Sequence, residues 1–286
     1  MSGVADRAHL VRLSIRRGRI ETRGSFTDPA EMFGTAVMIG IFLAVLFFQR
    51  GDEVEGTGVD AAAASLPGVI GMMVVFTGLL GMAAALSMDR EDGTLLRAKA
   101  LPGGMGVYLG GKIVFMLALI GATVLLLLVP GLFLYEGTAA GLARGWPMLL
   151  WVLLLGIAAT VPIGAALGSL FDNPRLVNGI GMLPVMGLSA ISGVFYPVTA
   201  LPEWVQAIAQ VFPVYWMALG MRAALLPDGM LAVEIGESWR TLETAGVLGA
   251  WALLGMVLAP VLLRRMARRV SGAKVEAARQ KAMQRV

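Results

Sequence analysis

Six stretches of this chain contain no Asp, Glu, Lys, Arg or His, and the shortest is 17 residues long. They are residues 32–48, 66–87, 113–134, 147–170, 179–196 and 244–263. An α-helix rising 1.5 Å per residue needs about 17–25 apolar residues to cross a hydrocarbon core about 30 Å thick. Because lipid offers the backbone no hydrogen-bond partner, such segments cross it as helices. We therefore expect an all-α polytopic membrane protein with a six-helix transmembrane domain over residues 32–263.

The composition excludes a soluble domain and several kinds of chemistry. Hydrophobic residues make up 57% of the chain and charged residues only 15%, against about 45–50% and about 25% in soluble domains. Cysteine is absent and His9 is the only histidine. Disulfides, thiolate or histidine metal clusters and histidine-based catalytic triads are therefore excluded. We expect no catalytic residue, no metal site and no bound cofactor in this chain.

Lys and Arg residues concentrate in alternate segments between the apolar stretches. One set of segments holds 19 of the 23, and the other set holds four. The basic set comprises residues 1–31, 88–112, 171–178 and 264–286, the last being a basic tail. Because cytoplasmic segments carry the excess of Lys and Arg, both termini are predicted to be cytoplasmic, in a bacterial inner membrane. This topology explains the net charge of +4 without a nucleic-acid partner.

The N-terminal segment 1–31 combines basic and apolar residues at helical spacing. Its arginines follow one face, at Arg12, Arg16, Arg19 and Arg23. An adjacent apolar stripe comprises Val4, Ala8, Val11 and Ile15. This pattern predicts an amphipathic helix in the cytoplasmic membrane interface, with its arginines on anionic lipid head groups. The alternative is a frayed basic tail that only sets the topology.

The cytoplasmic loop 88–112 has the charge pattern of a short docking helix. Asp89, Glu91 and Asp92 precede a helix-compatible run over residues 94–100, and Arg97 and Lys99 lie near its end. Acidic residues at the start and basic residues at the end match the helix dipole. A compact charged helix between two membrane spans is suited to docking in a groove of a cytoplasmic partner.

The chain has no evident energy source of its own. Residues 106–112 resemble part of a phosphate-binding P-loop, but Ile113 stands where a magnesium-binding Ser or Thr is required. The apolar stretches also lack the ionisable groups that couple transport to proton or sodium gradients. Both absences favour an external source of energy.

The external segment 197–243 contains two helix-like runs, each too short to cross a membrane. They cover residues 203–212 and 214–226 and are bounded by prolines. Trp204 is of a type that favours the boundary between membrane and water. Two short helices that re-enter the membrane from outside fit this pattern, and an external cap without a role in transport is the alternative.

Two motifs resemble type-2 ABC transporter permeases, the mostly exporting family that includes daunorubicin-resistance-like drug permeases. The first runs through Arg90-Glu91-Asp92-Gly93-Thr94, then Leu101-Pro102, then Gly111-Lys112. The second extends from Ile191 to Trp204 and continues through Phe212-Pro213 to Arg222. Both lie where that family has them, so the resemblance covers nearly the whole chain.

The resemblance implies a homo- or heterodimer of permeases above two separate ABC ATPase subunits, which bind the ATP and magnesium. It implies an N-terminal interfacial helix, a coupling helix around residues 89–100 and short external helices before the sixth span. The implied coupling residues are Asp89, Arg90, Glu91, Asp92, Gly93, Thr94, Arg97 and Lys99. The implied external helix or gate residues are Pro197, Pro202, Trp204, Pro213 and Arg222.

The sequence therefore predicts the permease subunit of an ATP-driven exporter, with no ATP hydrolysis of its own. Its substrate is predicted to be amphipathic or hydrophobic: a drug, a lipid or a lipid-linked glycan. A secondary transporter, a membrane-embedded lipid-modifying enzyme and a non-transporting scaffold are the alternatives. An ABC importer or an ATPase-regulated channel also stays open.

Overall fold

A computed structural model describes residues 2–101, 103–171 and 174–269. Most of the predicted basic tail, residues 270–286, lies outside the described residues, as do Pro102 and residues 172 and 173. The described chain is almost entirely helical. This confirms an all-α polytopic membrane protein.

The helices follow one another with short connections. They are α1 (Ser2–Ser25), α2 (Pro29–Phe48), α3 (Ala61–Phe76), α4 (Met82–Glu91), α5 (Thr94–Lys99), α6 (Gly104–Leu134), α7 (Thr138–Leu170), α8 (Pro174–Ile191), α9 (Glu203–Ala209), α10 (Pro213–Leu225) and α11 (Thr241–Arg269). A π-helical turn, Thr77–Gly81, joins α3 and α4 into one continuous helix. A two-stranded antiparallel hairpin, β1 (Glu53–Val54) and β2 (Val59–Asp60), precedes α3. Short 3₁₀ turns over Val198–Ala200, Asp228–Val233 and Ile235–Glu237 flank α9 and α10.

Five helices of the described residues are long and apolar enough to cross a membrane. They are α2, the joined α3–α4, α6, α7 and α11. The predicted fifth span corresponds to α8, whose apolar part, Gly181–Ile191, is shorter. Helices α9 and α10 form a pair bent by 89°, which by length and composition is either a broken span or a re-entrant loop. By length and composition, the described residues thus contain five candidate spans, or six if the bent pair is one.

The core is built around α7 and α10. Helix α7 packs against α11, α10 and α4, and α10 also packs on α3. Nearly every residue of α3 and α10 is buried. Helix α2, by contrast, exposes apolar side chains along most of its length. A helix that is apolar and exposed faces lipid or another apolar surface.

Glycines let α7 approach the α3–α4 helix at backbone distance. A Cβ atom on Gly168 would lie 2.7 Å from the carbonyl oxygen of Ala83, and one on Gly164 would lie 2.6 Å from that of Leu79. Small residues at this spacing permit close helix packing in membranes. Gly164 and Gly168, four residues apart on α7, serve this close packing.

Gly168→Ala is expected to lower the free energy of unfolding by about 1–3 kcal/mol, because the added methyl group meets backbone that cannot move aside. The thermal unfolding midpoint of the purified protein in detergent measures this. Gly121→Ala is the matched control, since a Cβ atom there meets nothing within 4 Å. Gly121→Ala should be neutral or stabilising, because alanine favours helix over glycine. Equal stability of the two variants would contradict the packing argument.

Candidate functional site

The segment that the sequence predicts to be the coupling loop folds as a short helix between two glycine turns. Gly93 precedes α5 with φ +77°, and Gly103 precedes α6 with φ +67°. Side chains other than glycine are strained in this left-handed region. At the start of α5, Asp92 Oδ1 accepts a hydrogen bond of 2.8 Å from the backbone N–H of Thr94. The six residues of α5 are therefore held at a defined angle to α4 and α6.

The two faces of α5 differ in character. Leu95 and Ala98 are buried and fix the underside of the helix against its neighbours. Glu91, Asp92, Arg97 and Lys99 are exposed, and they form what we call the coupling face. Two acidic and two basic side chains are thus exposed on a segment that the buried side chains of Leu95 and Ala98 hold in place.

Asp89 and Arg90, which the sequence groups with the coupling residues, point into the protein. Arg90 Nη1 donates hydrogen bonds to the carbonyl oxygens of Phe171, at 2.9 Å, and Ser169, at 3.3 Å. Cations are stabilised at the carbonyl end of a helix, and these carbonyls end α7. Arg90 therefore fixes the end of α4 to the end of α7. Asp89 belongs to a second internal network.

That network centres on Lys112, whose side chain is only 2% exposed. Its Nζ atom lies 2.8 Å from Asp89 Oδ2 and also pairs with Glu21 of α1. Tyr108 donates a hydrogen bond of 2.7 Å from its hydroxyl to the same Asp89 oxygen. The Arg17 guanidinium lies 4.8 Å from the centre of the Tyr108 ring. Helices α1, α4 and α6 are thus joined by charge at one point, which we call the Lys112 cluster.

Helix α1 crosses α6 in close contact beside this cluster. A Cβ atom on Gly110 would lie 2.8 Å from Ser14 Cβ, and one on Gly111 would lie 2.8 Å from Arg17 Cδ. A Cβ atom on Gly18 would lie 2.8 Å from the Gly111 carbonyl oxygen. The glycines of both helices remove the side chains that would hold the helices apart. This close approach lets Glu21 reach the buried Lys112.

A second ionic site joins three segments that the sequence predicts to be external. Arg222 of α10 and Glu234 are 4% and 5% exposed. Arg222 donates to Glu234 from Nε at 2.5 Å and from Nη2 at 3.2 Å. Its Nη1 atom donates to the carbonyl oxygen of Gly193, in the loop after α8, at 2.9 Å. Two parallel donors on one carboxylate are the strongest common geometry for such a pair.

The Arg222–Glu234 pair borders an external cavity of about 610 Å³. Pro197 also lines it, next to the 3₁₀ turn over Val198–Ala200. Pro202 precedes α9, and Pro213 occupies the first turn of α10, where a missing N–H costs least. Trp204 is 68% exposed, and its side chain stands apart from the cavity. The structure brings Pro197 and Arg222 to the cavity, whereas Trp204 lies elsewhere on the surface.

The partners of the buried charged side chains Lys112 and Arg222 were not predicted from the sequence. The Lys112 Nζ atom pairs with Glu21, which lies 91 residues earlier in the chain, so no local sequence pattern predicts this contact. Two weak signals existed: Glu21 is an isolated acid between Arg19 and Arg23, and Lys112 directly precedes an apolar run. Glu234 lies in an external segment that contains several acids, so its pairing with Arg222 had no distinctive pattern.

A family model described as ABC-2 type transporter matches residues 9–226, which is most of the chain. The protein belongs to the ABC-2 type transporter family. The match runs from α1 to the end of α10 and includes both the Lys112 cluster and Arg222. This ABC-2 permease is also 27% identical, over 203 residues, to the daunorubicin resistance ABC transporter permease protein DrrB1 of Streptomyces coeruleorubidus; the alignment covers 68% of each chain. It is a transporter permease and a multi-pass membrane protein.

Proposed function

We propose that this permease is the membrane subunit of an ATP-driven exporter and that a separate ABC ATPase docks on its coupling face. The observation that carries the proposal is the anchored α5 helix, with Leu95 and Ala98 buried below and Glu91, Asp92, Arg97 and Lys99 exposed above. A surface of mixed charge favours a partner of complementary charge, because such charges steer association and fix its register. The ATPase supplies ATP and magnesium chemistry; this chain supplies the contact.

The internal bonds of Asp89 and Arg90 support transmission of movement from α5 into the membrane. Arg90 ties α4 to the end of α7, and Asp89 ties it to Lys112 of α6. A push on α5 thus reaches two long helices through direct polar contacts. Switching between packed arrangements of this kind is the usual basis of alternating access.

The external side supports a gate. Arg222 connects α10 to the loop after α8 and to Glu234, so these three segments move together while the bonds hold. Opening of the cavity toward the outside requires that one of these contacts yields. We place the external gate at the Arg222–Glu234 pair, with Pro197, Pro202 and Pro213 setting the directions of the segments that meet there.

An amphipathic or hydrophobic substrate is the class that the described surfaces favour. A crevice of about 260 Å³ lies among α2, the π-helical turn, α6 and α8, and its lining is largely apolar. Thr35, Thr77 and Thr123 add hydroxyl groups to that lining. A mostly apolar wall with a few polar groups is typical of small-molecule sites.

Two permeases, identical or paralogous, complete the assembly. The assembly lies in a bacterial inner membrane, and both termini of this chain are cytoplasmic.

The test is purification of the tagged permease from its source cells. We expect an ATPase subunit to co-purify and the complex to hydrolyse ATP, while permease expressed alone shows no hydrolysis. Vesicles containing the complex should then accumulate an amphipathic dye from the outer medium in an ATP-dependent manner. ATP hydrolysis by the permease alone would refute the division of labour, and dye movement driven by a proton gradient would favour a secondary transporter.

Charge reversal of the coupling face is expected to uncouple transport. Glu91→Lys combined with Arg97→Glu should lower ATP-dependent dye transport at least about tenfold, because like charges placed against a docked partner repel. Insertion and thermal stability should stay unchanged, since both side chains are exposed. Glu136→Lys with Arg144→Glu is the matched control, because these exposed side chains lie in the opposite, external set of segments. Full transport by the coupling-face variant would refute the assignment.

A further inference from the structure

We propose that α1 binds anionic phospholipid on its outward face and that Glu21 passes this binding to the coupling segment through Lys112. The lipid site stands on the geometry of α1. Its regulatory effect rests on the proposed coupling to an ATPase. Helix α1 would then report the charge of the cytoplasmic leaflet to the transport machinery.

The faces of α1 are sharply divided. The inward face packs on α6 through Ser14, Arg17 and Gly18, with Glu21 one turn further along. The outward face is a shallow groove, and its basic lining comprises Arg12, Arg16, Arg19 and Arg23. No acidic side chain lines that groove among the described residues. The outward face therefore carries a positive charge that the described chain leaves uncompensated.

Apolar side chains on the same outward face favour lipid over a soluble acidic partner. Val11 is 60% exposed and Ile20 is 66% exposed, and Ile15 lies between the arginines. Exposure of these apolar side chains to water raises the free energy of the protein. A helix lying in the membrane boundary buries such side chains among acyl chains while arginines contact phosphates. Anionic phospholipid therefore explains both the exposed apolar side chains and the positive charge on this face of α1.

The depth of α1 agrees with this occupant. It crosses α6 at Gly110 and Gly111, immediately before the apolar run that begins at Ile113. The crossing point therefore lies where α6 enters the hydrocarbon core, at the level of the head groups. Each juxtamembrane arginine at that level strengthens binding to anionic lipids about fivefold.

The path from this face to the coupling segment is short and buried. Glu21 lies between Arg19 and Arg23 in sequence but points inward to Lys112. Lys112 forms an ion pair with Asp89. Asp89 lies three residues before Asp92, where α4 ends and the turn to α5 begins. A rotation or shift of α1 on the membrane surface changes the Glu21–Lys112 contact first. Lys112 then redistributes its contacts toward Asp89 and alters how firmly α4 is held.

The first experiment measures lipid binding without any ATPase. Native mass spectrometry of the purified full-length permease compares retention of phosphatidylglycerol with that of phosphatidylcholine. Arg16→Gln with Arg19→Gln should weaken phosphatidylglycerol retention about 30-fold, the effect of two surface arginines. Arg50→Gln with Arg144→Gln removes the same charge from the external side and should leave retention unchanged. Arg16→Lys with Arg19→Lys should retain most of the binding, because the charge is kept.

The second experiment measures the relay in the permease–ATPase complex. ATP hydrolysis is compared in phosphatidylcholine vesicles and in vesicles with equal amounts of phosphatidylcholine and phosphatidylglycerol. Wild-type complex should respond to phosphatidylglycerol at least threefold, whereas Glu21→Gln should remove the response and keep the lipid retention. Glu31→Gln is the matched control, because Glu31 contacts Ser25 and lies away from Lys112.

Each outcome has a separate meaning. Unchanged phosphatidylglycerol retention in the Arg16/Arg19 glutamine variant overturns the lipid site. Reduced recovery of the ATPase with that variant, at unchanged lipid retention, overturns it in favour of an acidic protein partner. A response to phosphatidylglycerol that survives Glu21→Gln overturns the relay. Absence of ATP hydrolysis in every vesicle refutes the proposed function instead, and the lipid-retention result still decides the site.

Discussion

Lys112→Met is expected to lower the free energy of unfolding of this permease by about 3 kcal/mol, near the lower end for breaking a buried ion pair. The substitution leaves the Glu21 and Asp89 carboxylates side by side in a partly buried contact between α1, α4 and α6. Glu21 is 24% exposed, so water relieves part of the cost. Thermal unfolding of the purified permease in detergent measures the loss. We expect ATPase stimulation in the complex to fall with it, because Asp89 is released.

Lys99→Met is the matched control for this substitution. It removes the same charge from the same cytoplasmic region, but the side chain is exposed. Exposed lysines contribute less than about 1 kcal/mol through ion pairs, so stability should hardly change. The double variant Glu21→Gln with Lys112→Met should recover part of the loss, since one stranded charge is gone. Equal unfolding midpoints for the Lys112 and Lys99 variants would refute the cluster.

Arg222→Met is expected to lower the free energy of unfolding by about 3–5 kcal/mol, the cost of leaving one buried charge without its partner. Glu234 is 5% exposed and would keep a carboxylate beside the cavity with no cation at 2.5 Å. The Gly193 carbonyl would lose its donor as well. The external loops should then become open to proteases, and the thermal midpoint should fall. Limited proteolysis of intact cells or spheroplasts measures the first effect.

The ion pair of Arg240 with the exposed Glu243 offers the control. Their side chains approach to 3.6 Å at the start of α11, with Glu243 mostly exposed. Glu243→Gln should cost less than about 1 kcal/mol. Arg222→Met with Glu234→Leu should regain much of the lost stability, because an apolar pair of similar volume replaces two buried charges. Transport should stay impaired in that double variant if the pair is the external gate. Normal transport would limit its role to stability.

Much of this architecture was predictable because its causes are local. Absence of charge over 17 or more residues is a property of a single segment, and the long helices follow from it. The α5 helix is another case, since Gly93, an acidic start and a basic end all lie within a few residues. The prolines around α9 and α10 likewise fixed two short helices rather than one long span. The family was readable from motifs of the same local kind and is confirmed by the match over residues 9–226.

The positions and partners of the charged side chains could not be predicted from the sequence. Asp89 and Glu91 are two residues apart and look equivalent in sequence, yet Asp89 turns inward to Lys112 and Glu91 is exposed on the surface. The difference arises from the direction of α4 relative to α6. Arg222 poses the same problem, since an arginine at a membrane boundary usually extends toward water. Here it is buried because Glu234 and the Gly193 carbonyl satisfy its donors.

The sequence by itself determined that the chain is a membrane-embedded helical protein with a short charged helix between two long apolar ones and with broken helices before the last long helix. Those features depend on side-chain types within single segments, where hydropathy, helix dipoles and proline geometry act. Only the tertiary structure decided that Glu21, Asp89 and Lys112 meet, and that Arg222 closes on Glu234. Such pairs join residues from different helices, and their stability depends on burial and on the distance between charges. Both quantities exist only once the helices have packed.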